Sequence, residues 1–117
     1  MRCRSFRSRA GLNQTVATMP LPKRERWDDC EHLVRCMNHF AYHHISVSYI
    51  LAHAVGLRGD SRCIEQLSPE ATSLLRDCIE PTGLNERKAV ELSEDMAELD
   101  GEVCAKGFRL IGERLGL

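Results

Sequence analysis

The chain has 117 residues, 43 % hydrophobic and 28 % charged with 5 % aromatic, which is one globular domain and excludes both a second independent core and a wholly disordered chain. Its formal net charge of −1 hides an asymmetry, since residues 1–26 carry +6 and residues 27–117 carry −7. No apolar run approaches the roughly 18 residues that would cross a bilayer, and the start has no apolar secretion segment, so a cytoplasmic protein without membrane contact is expected.

Residues 1–22 have no apolar period and contain Gly11, Asn13, Pro20 and Pro22, which predicts a flexible basic lead-in. Its arginines are of the kind that meets phosphates. No aromatic and basic stripe continues into the rest of the chain, however, so no direct nucleic-acid binding is expected. Residues 23–117 are read as a single helical domain.

From 23 to 55 there is no Gly or Pro, and Cys30, Leu33, Val34, Met37, Phe40, Ala41, Leu51 and Val55 recur at steps of three and four. This predicts one long helix stopped by Gly56, with the β-branched and serine-bearing stretch at 45–48 as a place to bend. A turn at 57–60 with Gly59 follows, then a short helical piece over 61–67 started by Asp60. Ser68-Pro69-Glu70 is a helix start, because it supplies a cap oxygen, a preset first helical angle and a charge suited to the dipole. That third helix runs to about Ile79 and is ended by Pro81.

Residues 84–115 place Ala89, Leu92, Met96, Leu99, Val103 and Leu110 at steps of three and four, with Lys106 a missed position and Gly101, Gly107 and Gly112 as weak points. A second long helix is expected. The predicted architecture is therefore all-α, with two long antiparallel amphipathic helices and two short helices between them.

The first long helix has more apolar surface than one stripe. Trp27, Tyr42, Ile45, Tyr49 and Ala52 form an arc beside the core stripe, and a second buried face calls for a partner or another copy of the chain. Within one chain, the alternative is that the short helices over 61–79 fold onto it. These five residues are the candidate partner-binding set, Trp and Tyr being the residues that most often anchor such contacts. A homodimer is expected.

The six cysteines contain no C-x-x-C pair, so a zinc cluster or a thioredoxin-like centre is unsupported. Cys30, Cys63, Cys78 and Cys104 read as small buried hydrophobes in a reducing compartment, which leaves Cys36 as the one candidate reactive thiol. Asp28, His32, His39, His43 and His53 share the polar side of the first helix, where His39 with His43 and Asp28 with His32 have chelating spacing. Inward carboxylates and Glu-x-x-His repeats are missing, so this side reads as a solvated face that turns cationic below about pH 6.5, and no metal or other cofactor is expected. His44, inside the apolar stripe, reads as a core histidine. No Ser-His-Asp set, phosphate loop or apolar carboxylate pair is present, so no catalytic residue, no small-molecule substrate and no enzyme activity are expected.

The stretch WDDCEHLVRCMNHFAYHHISVSYILAHAVG at 27–56, followed by LSPEATSLLRDCIEPTG, resembles the small helical quorum-sensing anti-activators of the QslA type. The resemblance implies a negative regulator that binds the ligand-binding domain of a LuxR-type transcription factor and blocks its dimerisation and DNA binding. The competing readings are a homo-oligomeric helical scaffold and a metal-binding helical bundle using the histidine stripe.

Overall fold

The computed structural model describes residues 21–39, 45–79 and 99–117, with the side chain of Ile45 outside the description. Every element among them is helical. In chain order they are a 3-10 turn at Arg24–Arg26, α1 at Cys30–His39, α2 at Ile45–Arg58, a second 3-10 turn at Arg62–Gln66, α3 at Pro69–Ile79 and α4 at Gly101–Leu115. None of the described helices is long and apolar enough to cross a membrane. The expected lead-in over 1–22 falls almost wholly outside the described residues.

The first long helix is not one straight element. Arg58 Nη1 lies 3.7 Å from Glu31 Oε1, whereas 27 helical residues between them would span about 40 Å. The two helices therefore do not run end to end, and α1 packs back on α2 as a helical hairpin. Composition supplies the reason. The centre of α2 is buried around its whole circumference, with Val47 to Val55 buried apart from half-buried His53 and with Ser48 the one polar residue enclosed among them. Such a helix has to lie at the centre of its domain, and folding α1 back covers one of its sides.

Capping fixes the local boundaries. α1 begins at Cys30, later than the expected residue 23, because Asp29 Oδ1 accepts the His32 amide at 3.0 Å and Asp29 also pairs with Arg26 at 3.0 Å. α2 runs through Gly56 to Arg58, and Gly59, at φ +72°, makes the turn after it. Asp60 Oδ1 then accepts the Arg62 amide at 2.8 Å. Ser68 Oγ accepts the Ala71 amide at 3.1 Å, so α3 starts at Pro69 as its sequence signal indicated.

The expected helix over 84–115 does not run through residue 100. Asp100 is extended, and its side chain accepts the Glu102 and Val103 amides at 2.9 and 3.2 Å, so α4 starts afresh at Gly101. The new start gives α4 its own helical phase. The buried stripe of α4 is Cys104, Gly107, Phe108 and Ile111, while Val103 and Leu110 on the expected stripe are only half-buried and Lys106 is exposed. Gly116, at φ +78°, closes the helix through the left-handed conformation that glycine adopts without strain.

α4 crosses α2 antiparallel at backbone contact. Tyr49 meets Phe108 edge to face with centroids 4.8 Å apart, Ala52 meets Gly107, and Gly56 meets Val103. A Cβ added to Gly107 or to Gly56 would fall within the radius of a carbonyl oxygen on the facing helix, Ala52 O or Val103 O. Both glycines, expected to stop or weaken a helix, are the positions that let the two helices touch.

The core joins α1 (Cys30, Leu33, Val34, Met37), the centre of α2, Cys63 and Ile64 of the second 3-10 turn, Ala71, Leu75 and Ile79 of α3, and the buried stripe of α4. The cysteine reading needs one correction. Cys30, Cys63, Cys78 and Cys104 are buried as expected, but Cys30 and Cys63 form a disulfide across 33 positions, while Cys36, Cys78 and Cys104 are not disulfide-bonded. Their adjacency follows from the hairpin, which brings the turn after α2 beside the start of α1. Closing a loop of that length removes unfolded-chain entropy worth about 3–4 kcal/mol in the chain-entropy account.

Candidate interaction surface

The five residues read as a partner-binding arc separate into different environments. Tyr49 is 3 % exposed and Ala52 fully enclosed, both beneath α4. They are core residues. These two members of the arc are thus covered within the chain, and by α4 rather than by the short helices over 61–79. Tyr42 and the side chain of Ile45 lie outside the described residues.

Trp27 is half-buried and packs against the core. It is placed by the turn that precedes α1, where its Nε1–H donates to Pro22 O at 2.8 Å and the Arg24 guanidinium stacks over the ring at 5.2 Å from the centroid. Around it, Arg24, Asp28, His53, Leu57 and Leu99 line a shallow cleft of about 170 Å³. Leu57, on the last turn of α2, is 57 % exposed, the most exposed large apolar side chain among the described residues. Sequence reading missed Leu57 because it treated Gly56 as the helix end, and it placed Leu99 on the stripe of the second long helix without linking it to this cleft. Once α2 is carried past Gly56, Leu57 follows His53 by four positions and shares its face.

His53 sits in this cleft, and burial lowers its basicity below the ordinary histidine value, against a smaller opposing effect of Asp100. His32 is shifted the same way by burial and by the neighbouring Arg26 and Arg35, with Asp29 opposing. His32 and His53 therefore acquire charge only below the usual histidine range. Of the two expected chelating pairs, Asp28 precedes α1 and does not stand one helical turn from His32 on that helix, and His43 lies outside the described residues, as does His44.

A second concavity, an open groove of about 530 Å³, runs along the outer side of α1, where His32, Arg35, Cys36, Asn38 and His39 line it. Asn38 closes one end: its Nδ2 donates to Gln66 O at 2.9 Å and its Oδ1 accepts the Ser68 amide at 2.6 Å. Cys36 Sγ stands 3.5 Å from His32 Nε2. Burial raises the Cys36 thiol above its ordinary value, raises Cys78 likewise, and pushes Cys104 up to about 12. None of the three is a thiolate at neutral pH, the state that nucleophilic chemistry requires. Among the described residues no three His, Cys, Asp or Glu side chains converge to hold a metal ion.

No family model, no curated protein and no solved structure matches the chain. The geometry is what bears on function.

Proposed function

We propose that the chain is a protein-binding negative regulator, an anti-activator that binds the ligand-binding domain of a LuxR-type quorum-sensing transcription factor and prevents its dimerisation on DNA. The observation that carries the protein-binding part is the cleft edge, where an exposed Leu57 and the Arg24-stacked Trp27 stand together over a core that is already closed. Trp and Arg at the rim of an apolar spot are the side chains that most often dominate binding energy, since each loses much water on contact while keeping a polar edge. The anti-activator part rests on the sequence resemblance alone.

In this reading the contact surface consists of Trp27 and Leu57, with Tyr42 and Ile45 retained from the sequence, while the burial of Tyr49 and Ala52 takes those two out of it. The chain acts by occupying a surface and performs no reaction, takes no small-molecule substrate and needs no cofactor. It works in the cytoplasm and pairs with itself as a homodimer when its target is absent. The direct test adds the purified chain to a LuxR-type factor bound to its operator and follows the shifted DNA band. Loss of the band at a stoichiometric amount of chain, with a factor–chain complex seen by size exclusion, supports the reading. An unchanged band with no complex overturns the anti-activator assignment, and a monomeric mass by light scattering overturns the homodimer.

A further inference from the structure

We propose that His32 and Cys36 form a two-donor binding site for a thiophilic divalent cation of the zinc type, open to the groove along α1. The two residues are one helical turn apart on a regular helix, so their side chains rise from the same strip of surface. Their ligating atoms, Sγ and Nε2, stand 3.5 Å apart. A tetrahedral zinc ion with a Zn–S bond of about 2.3 Å and a Zn–N bond of about 2.0 Å holds its sulfur and nitrogen ligands about 3.5 Å from each other. That separation matches one edge of the coordination tetrahedron.

The surroundings agree with an open site. Both side chains line a groove of about 530 Å³, and both are only partly buried, so an ion has a path of entry and room for the ligands this chain does not supply. With two protein donors the remaining positions are filled by water or by a group presented in the groove from outside. On binding, a Zn–S bond replaces the S–H bond and the thiol proton passes to solvent, while His32 contributes the nitrogen lone pair without losing a proton. Arg35 lines the same groove and opposes a cation, which together with the two-donor set keeps affinity modest, in the micromolar range. The site differs from the pairs expected from the sequence: it uses a sulfur, and its spacing joins His32 to Cys36 in place of Asp28.

Cobalt(II) serves as the spectroscopic probe for the full-length, metal-stripped chain, with zinc(II) as competitor. The wild type is expected to develop a thiolate-to-cobalt charge-transfer band that zinc abolishes, and Cys36→Ser and His32→Gln are expected to weaken cobalt binding at least tenfold with an unchanged helical spectrum. A readout that needs no variant is alkylation of Cys36, located by peptide mass, which zinc is expected to slow at least fivefold while magnesium has no effect. Absence of the band in the wild type, an equal band in Cys36→Ser, or a Cys36 alkylation rate indifferent to zinc each overturns the site. Loss of fold in a variant leaves the alkylation result on the wild type to decide.

Discussion

Asn38 connects two elements through one side chain. As the penultimate residue of α1 it holds the carbonyl of Gln66 and the amide of Ser68, so the turn leading into α3 is clamped in the register that lets Ser68 cap that helix. Asn38→Ala removes both bonds and frees the turn, and about 1–2 kcal/mol of stability should be lost, read as a lower denaturant midpoint with an unchanged slope. Asn38→Asp keeps the acceptor for Ser68 but points a second oxygen at the Gln66 carbonyl, so it should be no more stable than the alanine variant. A wild-type midpoint in both would show that the clamp is incidental.

His53 gives a prediction with a sign. Burial holds its folded-state value below the 6.5 of a free histidine, while Arg24, Asp28 and Asp100 are the charged groups about it. Below 6.5 the unfolded chain then binds the proton more readily than the folded one, so stability is full above that value and falls as acidification protonates the unfolded state. The melting temperature should drop between about pH 7 and about pH 5. His53→Gln cannot titrate and should show a shallower drop, whereas an equal slope in the variant would assign the effect to other groups.

At the scale of elements, the crossing of α2 and α4 decides the fold, and it depends on two missing side chains. Because the Cβ of an alanine at 107 would run into the backbone of Ala52, Gly107→Ala has to push the helices apart along the Tyr49–Phe108 contact. Although alanine is the better helix former by about 1 kcal/mol, the variant should lose about 2–3 kcal/mol or more through overpacking. A thermal melt at or above the wild type would contradict the close approach. Gly56→Ala is expected to behave alike, against Val103.

How much of this was legible follows from the same elements. α3 and the two short connections were readable because their determinants are local: Ser68, Pro69, Gly59 and Asp60 act within a few residues. Helicity throughout was readable from the apolar period. The packing of α1 beside α2 was not, because a continuous three-and-four stripe looks the same in one long helix as in two helices that both face one core. Asp100 was passed over because its neighbour Gly101 was read as a weak point inside a helix, and carrying the expected stripe across it put Val103 and Leu110 inward and left Phe108 and Ile111 off it. The role of Gly56 and Gly107 belongs to a contact between elements about 50 residues apart, which no local pattern encodes.

For the molecule as a whole, these corrections relocate the surface on which a partner would act, and they make folding and binding separable. The sequence arc placed five side chains on one potential interface. In the fold Tyr49 is core and Trp27 borders a cleft with Leu57. Tyr49→Ala removes a buried ring that packs on Phe108 and should cost about 3 kcal/mol or more in stability, with any loss of binding explained by the fraction unfolded. Leu57→Glu lies on an exposed last turn, where a carboxylate near the helix C-terminus costs only a few tenths of a kcal/mol to about 1 kcal/mol. In an interface, the same carboxylate must give up its water without a partner, which should weaken target binding roughly a hundredfold. Melting and partner affinity measured on the same preparations therefore distinguish the two residues: a stability defect at Tyr49 and a binding defect at Leu57. Binding retained by Leu57→Glu would remove the cleft edge from the contact surface and leave Tyr42 and Ile45 to carry it.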